Sequence, residues 1–108
     1  MSIAIVKWRE GLVVKLYKGP SQYEIVDIEC DWANDLAVDE TLSSAGVSAD
    51  SGISASSLGV DGLTSTVRLS TQSATAGTQY SVSPYVVTSA GQRFLRPFEV
   101  LVVATGVA

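Results

Sequence analysis

Between residues 66 and 103, apolar and polar side chains alternate with the period of two that a half-buried strand requires. Val67 and Leu69 sit between Thr66, Arg68 and Ser70; Tyr80 and Val82 sit between Gln79, Ser81 and Ser83; and Phe94, Phe98, Val100 and Val102 share one face of the last run. Two glycine-bearing turns, Ala76-Gly77-Thr78-Gln79 and Ser89-Ala90-Gly91-Gln92, separate these runs, so the region predicts three consecutive antiparallel strands. A second clean alternation places Val26, Ile28, Cys30 and Trp32 on one face and Asp27, Glu29 and Asp31 on the other. The predicted core is therefore Val26, Ile28, Trp32, Val67, Leu69, Tyr80, Val82, Phe98 and Val100, with the three acids lining a solvated outer face.

The rest of the chain is less regular. Residues 3–8 and 12–17 flank Arg9-Glu10-Gly11 and read as a hairpin that stops at Gly19-Pro20, because proline has no N–H to give a ladder. Residues 31–37 fit two readings, a helical turn capped by Asp31 with Trp32 and Leu36 four apart, or a bulged strand end. From residue 42 to 62, Ser, Ala and Gly predominate and only Val47, Ile53, Leu58 and Val60 punctuate them, which predicts weak edge strands joined by long loops. The run Glu99-Val100-Leu101-Val102-Val103 is apolar on both faces and needs a cover, from the N-terminal hairpin or from a neighbouring subunit.

Tyr80 opens its strand just after the Gly77 corner, the arrangement of the tyrosine corner in immunoglobulin-like sandwiches. Its hydroxyl is expected to bond to backbone within residues 73–77. Composition agrees with an all-β reading. The chain has 108 residues, 46% of them hydrophobic and only 17% charged, enough for one modest core. The organisation expected is an N-terminal hairpin, residues 1–19, added to one immunoglobulin-like β-sandwich, residues 20–108.

A net charge of −4 with seven scattered basic residues argues against a nucleic-acid partner, since phosphate binding needs clustered Lys and Arg. No run approaches the roughly 20 apolar residues of a membrane-spanning helix, and the first residues lack the pattern of a secretion signal, so synthesis in a cytoplasm is expected. The absence of His removes the Ser-His-Asp, Cys-His and common zinc constellations. Cys30 has no second cysteine to pair with and lies on an apolar face, which predicts a buried, inert thiol. Asp27, Glu29 and Asp31 alternate along a strand, roughly 7 Å apart, and neither form a calcium loop nor imply an acid-base pair. No phosphate-binding glycine loop occurs. No catalytic residue, cofactor or metal is expected.

Trp32 reads as the aromatic anchor of the core. Trp8 and Tyr17 lie in the N-terminal hairpin, where ordinary packing and an interface role both remain open. That hairpin, through Ile3, Ile5, Trp8, Leu12, Val14, Leu16 and Tyr17, is the expected docking surface.

Five segments taken in order, Asp31-Trp32, Asp39-Glu40-Thr41-Leu42-Ser43-Ser44, Thr66-Val67-Arg68-Leu69-Ser70, Ala76-Gly77-Thr78-Gln79-Tyr80-Ser81-Val82 and Thr88-Ser89-Ala90-Gly91-Gln92-Arg93, resemble a family of small tailed-phage virion proteins. Its members are fiber-tail adaptors, or structural proteins of the head-tail region. The chain departs from that pattern in its added hairpin and in Leu36, where a second tryptophan is common. The resemblance implies a non-enzymatic structural protein of a phage particle, made in the host bacterial cytoplasm. Its implied partners are other virion proteins of the tail, neck or fiber, with capsid subunits as an alternative. Many copies per particle, as a homo-oligomer, would link tail or neck to fiber. Two other roles compete: a capsid decoration (cement) protein, and a carbohydrate-binding module for host attachment resting on Tyr85, Tyr17 and Trp8.

Overall fold

The computed structural model describes residues 4–19 and 21–104. Within them nine strands run in the order β1 (Ala4–Lys7), β2 (Val13–Lys18), β3 (Ile25–Asp31), β4 (Leu42–Ala49), β5 (Ser54–Asp61), β6 (Thr64–Ser70), β7 (Gln79–Thr88), β8 (Arg93–Leu95) and β9 (Phe98–Ala104). They form two sheets. One is four-stranded in the order β1-β3-β6-β5; the other is five-stranded in the order β2-β9-β7-β4, with β8 also pairing β7. This is the strand partition of an immunoglobulin-like sandwich, a single all-β unit with a core between its inner faces.

The core follows the alternation. All nine predicted positions are buried, and Trp32, Ile28, Leu69, Val82 and Val100 have no exposed surface. Residues 33–35 form a single 3₁₀ turn, so that segment is helical, but its N-cap position is Trp32 and not Asp31, whose Oδ1 accepts the Ala33 N–H at 3.0 Å. The tyrosine corner is present as well: the Tyr80 hydroxyl accepts a hydrogen bond from the Thr75 N–H at 2.9 Å. Gly77 in that corner has φ +88°, a conformation that costs a side-chain-bearing residue energy.

The topology corrects three expectations. First, β1 and β2 do not form a hairpin. The chain reverses at Arg9–Leu12, where the Leu12 N–H reaches the Arg9 carbonyl at 3.1 Å, but the strands then go to different sheets. β1 lies parallel to β3, with Ala4 opposite Val26, and β2 lies parallel to β9, with Val13 opposite Glu99 and Lys18 opposite Ala104. β2 buries Val14 and Leu16, and Val6 of β1 packs partly buried against the same core, so each strand takes a sheet edge. Second, β6 and β7 do not pair; the chain crosses from one sheet to the other between them, so the predicted three-strand run is broken after its first strand. Third, residues 42–62 hold two full eight-residue strands and a short turn instead of long loops. The edge assignment was right: β4 and β5 each end a sheet.

The acidic face of β3 also differs from the simple picture. Asp27 is only 7% exposed, because Arg68, directly opposite on β6, lies over it with Nε 2.8 Å from Oδ1 and Nη2 3.1 Å from Oδ2. A bidentate charge-assisted pair of this kind satisfies the carboxylate without open water.

Candidate functional site

The N-terminal docking residues separate into two groups. Leu12, Val14 and Leu16 are buried in the core, since every second residue of β2 must face inward once that strand joins the edge of the five-stranded sheet. They are packing residues and cannot meet a partner in the folded chain. Ile5 and Tyr17 are exposed, Trp8 is half-buried, and Ile3 lies outside the described residues.

What the fold leaves open is the outer face of the five-stranded sheet. In β7, Val82, Pro84, Val86 and Thr88 point inward, so Ser83, Tyr85 and Val87 point outward. In β9, Phe98, Val100 and Val102 fill the core, while Leu101 and Val103 look out. Strand pairing sets them in two groups, Tyr85 opposite Leu95 towards one end and Lys15 opposite Leu101 with Tyr17 opposite Val103 at the other, and Ser81 bonded to Glu99 lies between. The cover expected over residues 99–103 is therefore only lateral. β2 satisfies the ladder of β9, yet Leu101 and Val103 stay partly exposed, and Leu95, 52% exposed, lies beyond Glu99 towards the other end of the face.

Two aromatic clamps stiffen this face. The Tyr85 ring lies across Gly46, where an added Cβ would overlap its phenol, and the Arg93 guanidinium sits 4.3 Å above the ring centre. Glycine opposite an aromatic on a neighbouring strand lets the ring lie flat on the sheet. At the end of the sheet, Arg96 stands between both tryptophans, 5.2 Å from the Trp8 ring centre and 4.6 Å from that of Trp32, and pairs with the Asp35 carboxylate. The Trp8 indole N–H donates to the Pro97 carbonyl at 3.2 Å, and that of Trp32 to the Ser65 hydroxyl at 2.9 Å. The result is a shallow groove of about 540 Å³ lined by Trp8, Glu10, Gly11, Leu95, Arg96 and Pro97.

This groove includes Leu95, which lies opposite Tyr85 on the outer face of the sheet. Its Trp and Arg are the residue types that carry most binding energy at protein interfaces, and both are held in place before any partner arrives. Sequence reasoning singled out Trp8 but missed Leu95, Arg96 and Pro97. The available signal was Pro97 itself, which has no N–H for a ladder and falls in the break between β8 and β9.

Titratable groups here serve structure. Burial pushes the Cys30 thiol up to about 11. The Thr88 hydroxyl, and after it the Ala37 N–H, hold Glu40 below the usual carboxylate range. Arg68 is raised by its bond to Asp27. Among the described residues no three His, Cys, Asp or Glu side chains gather as metal ligands, and no buried side-chain nitrogen or oxygen lacks a hydrogen-bond partner.

No curated protein and no solved structure matches the chain. A family model does, over residues 20–101, a span that begins after β2 and contains the tyrosine corner and strands β3 to β8. By that match the chain belongs to the family described as podophage GP4 fiber-tail adaptor protein gp77.

Proposed function

We propose that this chain is a non-catalytic adaptor of a podophage particle that joins tail or neck to fiber by seating the outer face of its five-stranded sheet on a neighbouring virion subunit. The observation that carries this reading is the groove at Trp8, Arg96 and Pro97, which includes the exposed Leu95 that lies opposite Tyr85 on the outer face of the five-stranded sheet. Burial at about 25 cal/mol per Å² of apolar surface supplies the affinity, and repetition of the contact over many copies multiplies it. The sandwich keeps the groove rigid, so little ordering cost accompanies docking.

The test is virion incorporation of two surface variants, Leu95→Asp and Leu101→Lys, each checked first for a native circular dichroism spectrum and unfolding transition. Folded variants that no longer enter the particle support the reading, and normal incorporation of both overturns it. Locating the protein in a particle reconstruction separates an adaptor at the tail from a decoration protein on the head.

A second reading has an observation of its own. Tyr17 and Tyr23 flank a cleft of about 550 Å³ with Ser21, Gln22 and Glu24, a pairing of exposed rings and polar groups that suits a sugar. A glycan array with the Tyr17→Ala, Tyr23→Ala double variant as control tests whether host glycans bind there.

A further inference from the structure

The tip of the β5–β6 hairpin is apolar where a surface turn is usually polar. Leu58, Val60 and Leu63 all stay exposed there and belong to neither buried cluster. A bulge contributes to this: the register of β5 against β6 shifts between Ser57 and Val60, with Gly59 at φ +94°, and an extra residue of this kind bends a strand and re-aims its side chains. Gly62, at φ +61°, then opens a two-residue turn that leaves Leu63 at the end of the hairpin, between Asp61 and Thr64.

Hydrogen bonds hold this tip in shape. The Trp32 N–H donates to the Leu63 carbonyl at 2.9 Å, the Thr64 hydroxyl to the Asp61 carbonyl at 2.8 Å, and the Gly59 N–H to the Ser57 hydroxyl at 3.2 Å. The apolar side chains are thus in place before a partner arrives, which lowers the ordering cost of docking. The free charge beside them is negative. Asp31 and Asp61 lie opposite Thr64 on its two sides, both exposed, and neither joins an ion pair among the described residues. The two bases on the strands of this sheet are matched, Arg68 by Asp27 and Lys7 by Glu29 opposite it, and no Lys or Arg occurs between Lys18 and Arg68. Arg9 follows β1, at the other edge of the sheet from β5.

We infer that the β5–β6 tip is a second docking site, seated in an apolar pocket of a different protein that carries Lys or Arg at its rim to meet Asp61. The fixed apolar side chains select the shape of that pocket, and the carboxylate beside them selects its charge. β5 is the edge of the four-stranded sheet opposite to β1, and Trp8 follows β1, so the tip and the groove can hold different neighbours at once. This rests on the adaptor reading in one respect: a link between two virion parts needs two contacts, and the groove supplies one.

Two variants of the full chain, each checked for a native circular dichroism spectrum, separate the contacts. Leu58→Ser with Leu63→Ser removes the apolar tip and leaves Gly-Ser in the turn, a pair that hairpins accept; Leu95→Asp disrupts the groove. The protein composition of purified particles is the readout. One variant is expected to leave this chain off the particle, and the other to keep the chain while losing the component beyond it. Complete particles from the tip variant overturn the inference, and so does loss of the chain from both, because the two surfaces would then serve one neighbour. Complete particles from Leu95→Asp together with a defect from the tip variant overturn the role of the groove and support that of the tip. Asp61→Lys is expected to reproduce the tip defect, and its second-site revertants to replace a Lys or Arg of one other virion protein. Revertants confined to this chain, or that touch no basic residue, overturn the inference.

Discussion

The hydroxyl of Tyr80 accepts the backbone N–H of Thr75 at 2.9 Å, closing the corner through which the chain enters β7. The ring also shields the β4–β5 turn: a Cβ at Gly52 would lie 2.9 Å from Tyr80 Cε1. Replacing Tyr80 by Phe keeps the packing and orphans the Thr75 N–H, so a loss of about 1 kcal/mol or more is expected in urea unfolding. An unchanged midpoint and slope would show that the bond contributes nothing to stability.

Trp32 is expected to be the most costly single truncation. It is fully buried, its indole N–H is satisfied by Ser65, and Arg96 covers its face. Trp32→Ala should lose about 3–5 kcal/mol, a large part of the 5–15 kcal/mol typical of a small domain. Arg96→Met should cost less and act on a neighbour. With the guanidinium gone from between the rings, Trp8 fluorescence, read in a Trp32→Phe background, is expected to shift to longer wavelength as its indole gains solvent.

Removing residues 1–18 is expected to unfold the domain. It strips Leu12, Val14 and Leu16 from the core and exposes the ladder of β9. Leu16→Ala alone should cost about 2–5 kcal/mol. A truncated chain that retains a cooperative thermal transition would mean that the sandwich closes without β2.

Cys30 gives a readout linked to pH. Its thiol, ordinarily at 9.0, is pushed by burial up to about 11 in the fold. The folded state therefore holds the proton more tightly than the unfolded one, so this contribution to stability is complete below pH 9 and is lost as pH climbs towards 11. Wild type should lose more stability over that window than Cys30→Val does. At pH 8 a thiol reagent is expected to leave native Cys30 untouched and to modify it fully in denaturant. Equal slopes for the two proteins, or rapid native modification, would contradict the burial of this side chain.

What could be read from the chain was whatever its local period encodes. The nine core positions, the 3₁₀ turn after Trp32 and the bond from Tyr80 to its upstream corner all depend on residues close in sequence. The errors share an opposite cause. Parallel pairing of β2 with β9 joins Val13 to Glu99 and leaves no local signature, because nothing near either strand announces its partner. Asp27 was placed in water for the same reason: its counterion, Arg68, arrives from 41 residues away. The groove is not legible because Leu95, Arg96 and Pro97 acquire meaning only when the fold sets them beside Trp8. Residues 42–62 were underestimated for a different reason, since strands of Ser, Ala and Gly obtain their order from a neighbouring strand and little from their own propensity.

The parallel ladder between β2 and β9 also determines how the molecule bears load. Six register positions, from Val13 opposite Glu99 to Lys18 opposite Ala104, tie the first strand of this sheet to the last in the same direction. Tension applied at the N-terminal end of β2 and the C-terminal end of β9 runs along that ladder in shear, so all its hydrogen bonds resist together. Pulled across the strands, the same bonds would open one after another like a zip. Survival under force is governed by the rate of unfolding rather than by equilibrium stability, and this geometry slows rupture along one axis. A chain mounted so that pull on an attached fiber follows that axis would hold where the same fold turned sideways would tear.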